Sequence, residues 1–178
     1  MSVRIFKNKE DQDQFDKQGF LCMAFLSTDE IQELNVFFDE MHPDLNENGF
    51  FSGSYSSDFD YKKKASDKIV EVFSRAYSET FTNYTPFGGA FLYKTPGEQS
   101  ELAAHQDWTI VDEDKAIALN CWVPLCDVDI SNDLKPAACR LLRRCLHPKG
   151  FRLGQRLPIP PRNHIRNQHL FLVRTHPL

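Results

Sequence analysis

Residues 83–125 read NYTPFGGAFLYKTPGEQSELAAHQDWTIVDEDKAIALNCWVPL, and the fold turns on this stretch. Pro86, Gly88, Gly89, Pro96 and Gly97 punctuate short β-prone runs, which is how an antiparallel barrel or sandwich is written. Phe91-Leu92-Tyr93-Lys94 is one expected strand. Lys115 to Leu125 is another: Ile117, Leu119, Cys121 and Val123 alternate with Ala118, Asn120, Trp122 and Pro124, and a strand sends successive side chains to opposite faces. Between the two strands lies Glu101-Leu102-Ala103-Ala104-His105-Gln106-Asp107-Trp108. In extended chain, residues two apart project to the same side, so the His105 imidazole and the Asp107 carboxylate can converge on one ion while Gln106 points away. One more imidazole from a distant strand would complete two His and one carboxylate on a single face of an octahedron, leaving positions open.

Upstream of this stretch the texture is helical. Glu10 to Lys17 is polar, ends at Gly19 and feeds the apolar run Phe20 to Leu26, read as a short helix followed by a strand. Ser27, with Glu30 three residues on, has the form of a capping box, and Ile31, Leu34, Phe37, Phe38 and Met41 repeat at helical spacing behind it. Asn46 to Asp60 is rich in Asn, Gly, Ser and Asp and reads as a loop. A third helix carries the apolar stripe Ile69, Val70, Phe73, Ala76, Tyr77 and Phe81, with the charge run Lys62 to Lys64 as its solvated start. His42, in a Met-His-Pro helix exit, reads as structural.

The run from Phe91 to Asn132 resembles the phytanoyl-CoA dioxygenase-like family, piece by piece and in order. The pieces are Phe91-Leu92-Tyr93-Lys94 with Thr95-Pro96-Gly97, then His105-Gln106-Asp107, then Ala118-Leu119-Asn120-Cys121-Trp122-Val123-Pro124-Leu125, then Asp127-Val128 and Ser131-Asn132. The opening Gln18-Gly19-Phe20 and the helix capped at Ser27 resemble it as well. The resemblance implies a mainly β fold with flanking helices, a cupin-like double-stranded β-helix or jelly roll, over residues 1–132. It also implies that His105 and Asp107 bind Fe(II), that 2-oxoglutarate is the cosubstrate, and that Trp122 helps line the cosubstrate pocket. Such an enzyme uses O2 to hydroxylate a small organic substrate while 2-oxoglutarate is oxidatively decarboxylated to succinate and CO2. Ascorbate is the accessory reductant the resemblance allows. Asp107 speaks against the halogenating relatives, in which a small residue replaces the carboxylate.

Past Asn132 the resemblance stops: Asp133-Leu134-Lys135-Pro136-Ala137-Ala138-Cys139-Arg140 stands where a glycine, an aliphatic strand and a Pro-Gly-Ser-His turn are expected. The charge breaks at the same place. All 25 Asp and Glu lie in the first 134 residues against 11 Lys and Arg, a net of −14, while the last 44 residues carry 10 Lys and Arg and no acid. Residues 133–178 are therefore expected to be an atypical basic tail produced by a frameshift or alternative splice, leaving the jelly roll incomplete at its C-terminal end. A divergent native C-terminal half is the alternative. Reading the coding DNA in its other two frames from codon 133 separates the two, since a Gly-rich continuation bearing His and Arg belongs only to a frameshift. The family's second metal-binding His and its carboxylate-binding Arg belong to this part. His164 and Arg174, ten residues apart, match the family's interval and stand as third ligand and 2-oxoglutarate clamp. His169, close to Phe171-Leu172-Val173, is a comparable ligand candidate, whereas His147 and His176 precede prolines and read as loop residues.

Composition bounds the rest. A chain of 178 residues suits one domain with one core, and its 15 Phe supply a bulky apolar interior. The longest apolar runs fall far short of the ~20 residues that a membrane helix needs, and MSVRIFKNKEDQDQ lacks a signal peptide's apolar region, so a cytoplasmic protein with no membrane partner is expected. Five cysteines without a framework are expected as reduced, packing thiols. The basic tail could meet phosphates through its arginines, but Phe151 and Phe171 offer little stacking surface, so nucleic acid is not an expected partner.

Overall fold

A computed structural model describes residues 4–43, 49–95, 116–126 and 165–175, with the backbone alone for 116–117 and 165–175. The first helix, α1 (Lys9–Gln18), is bounded by two local devices. The Asn8 side chain accepts from the backbone N–H groups of Glu10 and Asp11, and Gly19 closes the helix at φ 76°, its N–H bonded to the Phe15 carbonyl. That left-handed conformation strains any residue with a Cβ, which is why a glycine ends this helix. No residue of α1 is fully buried. The helix is held instead by Gln12, whose Oε1 accepts from the N–H groups of Ile5 and Phe6, and by Phe15 against Phe6 at 5.3 Å between ring centroids.

The expected strand at Phe20 to Leu26 is absent: the segment forms no ladder. Its residues nevertheless point apolar groups at the core, with Phe25 edge-on to Phe73 at 5.5 Å and Leu21 and Leu26 packed beside it. Cys22, Met23 and Ala24 between them are exposed, so the apolar run covers the core through Leu21, Phe25 and Leu26 without pairing, and composition alone could not separate that from a strand. By contrast the capping box is present in full on α2 (Thr28–Met41). Ser27 Oγ accepts the Glu30 N–H and the Glu30 carboxylate accepts the Ser27 N–H.

The Asn-, Gly- and Ser-rich stretch contains more structure than a loop, with a short strand β1 (Phe50–Ser52) and a 3₁₀ turn at Gly53–Tyr55. Gly53 sits where a Cβ would lie 3.1 Å from Tyr61 Oη and 3.3 Å from the Phe91 carbonyl oxygen, so the absence of a side chain lets the turn close on its neighbours. Asp58 then caps α3 (Phe59–Thr80) by accepting the Tyr61 N–H. Ala65, Ile69, Val72, Phe73 and Ala76 are the buried side of α3. They largely follow the helical stripe read from the sequence.

Four strands make one antiparallel sheet: β1, β2 (Thr85–Lys94), β3 (Ala116–Pro124) and β4 (Ile165–Thr175), in the order β1-β2-β4-β3. The expected strands at 91–94 and 115–125 correspond to the end of β2 and to β3. β2 begins earlier than its apolar residues suggested, because its first half is Thr85-Pro86-Phe87-Gly88-Gly89, with an irregularity between Pro86 and Gly88. The glycines serve packing there: a Cβ at Gly88 would lie 3.0 Å from Ser66 Oγ of α3, and the Gly89 N–H donates to that same oxygen at 3.1 Å.

Helices α2 and α3 cover the sheet face that carries Phe91, Tyr93 and Val123. Leu34, Phe38, Ile69, Phe73 and Phe91 are fully buried there, and Phe38 meets Phe91 and Tyr93 edge-on at 5.3 and 5.9 Å. Asn35 Nδ2 donates to the Leu125 carbonyl at 2.9 Å, tying α2 to the chain leaving β3. At the N-terminal side, Phe6 bridges Phe81 and the Lys7 ammonium donates to the Ser78 carbonyl.

Arg75 of α3 clamps the start of α2. Its Nε and Nη2 reach the two Glu30 oxygens at 2.9 and 2.6 Å, and Nη1 reaches Glu79 at 2.8 Å. The guanidinium holds the Glu30 carboxyl down to about 2, against the partial burial that pulls the other way. A carboxyl depressed below its unfolded value of 4.5 stabilises the fold above that pH, and the contribution is lost as pH falls from 4.5 toward 2. Glu30→Gln, which keeps a capping side chain, is therefore expected to lower the melting temperature at pH 7 and to leave it nearly unchanged near pH 2. Thermal unfolding followed by circular dichroism at both pH values reads this directly, and an equal loss at both would assign the effect to capping geometry instead.

Candidate active site

The segment that carries His105 and Asp107 joins β2 to β3, so the ends of those strands fix where it departs and returns. It departs from a pinned point: Thr95 is buried, its N–H donates to the Gly49 carbonyl at 3.0 Å, and its Oγ1 accepts the Gly49 N–H at 2.6 Å. It returns at Ala116. Both β2 and β3 run antiparallel to β4, and are therefore parallel to each other. Lys94 pairs with Ile165 and Ala116 with Thr175, at opposite ends of β4. His105 and Asp107 themselves lie outside the described residues, as does His164.

Trp122 is described and Arg174 by its backbone, and the register separates the two positions. Trp122 pairs with His169 and Arg174 with Ile117. Ile117 and Trp122 are five residues apart on β3, an odd interval that puts the two positions on opposite faces and ~17 Å apart along the strand. The expected alternation of β3 is present on the Trp122 side: Trp122 is 38 % exposed and Asn120 is exposed, whereas Val123 is buried and Leu119 and Cys121 pack against the core. His169, read from the sequence as a comparable ligand candidate, occupies the position between Ala90 of β2 and Trp122 of β3. The structure brings His169 and Trp122 to one row of the sheet and does not bring Arg174 to that row.

His42 has the structural role expected of it. Its ring stacks on Phe38 at 4.1 Å, Nδ1 bonds the Phe38 carbonyl at 2.8 Å, and Nε2 bonds Tyr61 Oη at 3.0 Å. Phe51, Phe91 and Tyr93 surround the ring edge-on. Burial pushes the Tyr61 hydroxyl well above its ordinary range, so it stays protonated as a hydrogen-bonding group. Nothing in the sequence but one aromatic position at the start of an amphipathic helix marks Tyr61 as the partner of His42.

Cys121 is a poor metal donor. Burial pushes the Cys121 thiol up to about 12, so it remains protonated across the physiological range, and a thiol binds metal as its thiolate. Cys121 and Cys126 carry thiols, as expected, while Cys22 is disulfide-bonded, against the expectation of a reduced cysteine. Among the described residues no three His, Cys, Asp or Glu side chains are grouped to hold a metal ion, and no helix is long and apolar enough to cross a membrane. Compared with models of known protein families, with curated proteins and with solved structures, the chain matches none of them.

Proposed function

We propose that this chain is built as a non-haem Fe(II)- and 2-oxoglutarate-dependent dioxygenase that hydroxylates a small organic substrate, on a double-stranded β-helix of the phytanoyl-CoA dioxygenase-like kind. The observation that supports the reading is the His-x-Asp pair of His105 and Asp107, lying in the sequence between strands β2 and β3, whose Phe91–Lys94 and Ala118–Leu125 runs resemble the family's. His105 and Asp107 would hold the iron, an imidazole and a carboxylate being donors suited to Fe(II). Bound iron and 2-oxoglutarate supply the oxidation of a C–H bond at the expense of the cosubstrate, which leaves as succinate and CO2.

The chain's own residues have two tasks in this reading. The sheet core and the Thr95–Gly49 clamp hold the departure of the metal-binding segment, and a flat indole at Trp122 provides an apolar wall. His164 stays the proposed third ligand, with His169, whose position pairs with Trp122, as the comparable alternative. Arg174, whose position pairs with Ile117, stays the proposed carboxylate clamp. Purified protein with Fe(II), ascorbate and 2-oxoglutarate is expected to release succinate in air and none under nitrogen. Equal release in both atmospheres removes the oxygenase reading.

A second reading is favoured by the charge break at residue 134 and the loss of family motifs after Asn132. In it the chain is a truncated or catalytically inactive relative that binds metal or a partner. That form releases no succinate and gives no charge-transfer band when Fe(II) is added with 2-oxoglutarate under nitrogen, so the two readings part on these assays.

A further inference from the structure

We draw no further inference here: the strongest candidate, the sheet face on the Trp122 side of β3, away from α2 and α3, is partly exposed, and nothing in the structure shows what covers it.

Discussion

His105→Ala is expected to abolish 2-oxoglutarate-dependent succinate release while leaving the melting temperature close to that of the parent chain. Removing His105 breaks the two-residue corner and leaves the carboxylate of Asp107 with only the proposed third imidazole, a set too sparse to keep Fe(II) in place at micromolar concentrations. The loss should exceed about 100-fold, the scale seen when even an outer-shell partner of a metal ligand is removed. Asp107→Asn is expected to match it, because the amide keeps the size of the side chain and loses the charge. Assaying succinate for both variants, with circular dichroism to establish that they fold, is the check. Turnover within a few-fold of the parent would refute the assignment of these two residues.

Phe38→Ala is expected to be the most damaging substitution outside the site, costing about 3–5 kcal/mol. Phe38 is fully buried and touches the His42 ring face-on and the Phe91 and Tyr93 rings edge-on, so its removal empties the junction of α2, α3 and β2 at once. Domains of this size are stable by only about 5–15 kcal/mol, so a large part of the total goes with one ring. Phe59→Ala is the matched control: its side chain is 73 % exposed, and the cost is expected to stay within about 0.5 kcal/mol. Urea unfolding midpoints measure both. Equal shifts would mean that the helices do not pack on the sheet through Phe38.

These two expectations rest on different amounts of sequence information. Helix α2 was legible almost residue by residue because its signals are local: a cap at Ser27, a Glu three residues later and an apolar repeat. The β3 alternation was legible for the same reason, since exposure of Asn120 and Trp122 against burial of Val123 is written at period two. Phe20 to Leu26 was misread as a strand because its apolar residues serve core contacts of Leu21, Phe25 and Leu26 and not pairing. β1 and the glycine-rich start of β2 were missed because their pairing depends on partners far along the chain, and Gly88 and Gly89 look like loop residues until Ser66 is seen against them. β4 lies within a stretch read as a proline- and arginine-rich tail, and its place between β2 and β3 is a tertiary fact that no local pattern in Ile165 to Thr175 announced.

The candidate site was legible as a pair of residue types at one spacing, and the spacing says nothing about what stands opposite. The register says only which backbone positions pair: His169 with Trp122, and Arg174 with Ile117. Sequence intervals such as the ten residues from His164 to Arg174 count positions along the chain, whereas a ligand set is fixed by which strands become neighbours.

The most direct measurement is an anaerobic titration of Fe(II) into the full chain in the presence of 2-oxoglutarate, followed by visible absorption. The proposal predicts a charge-transfer band that saturates at one iron per chain and is missing from His105→Ala and Asp107→Asn. Saturable iron binding that survives both substitutions, or no band at any iron concentration with the parent chain, would contradict it.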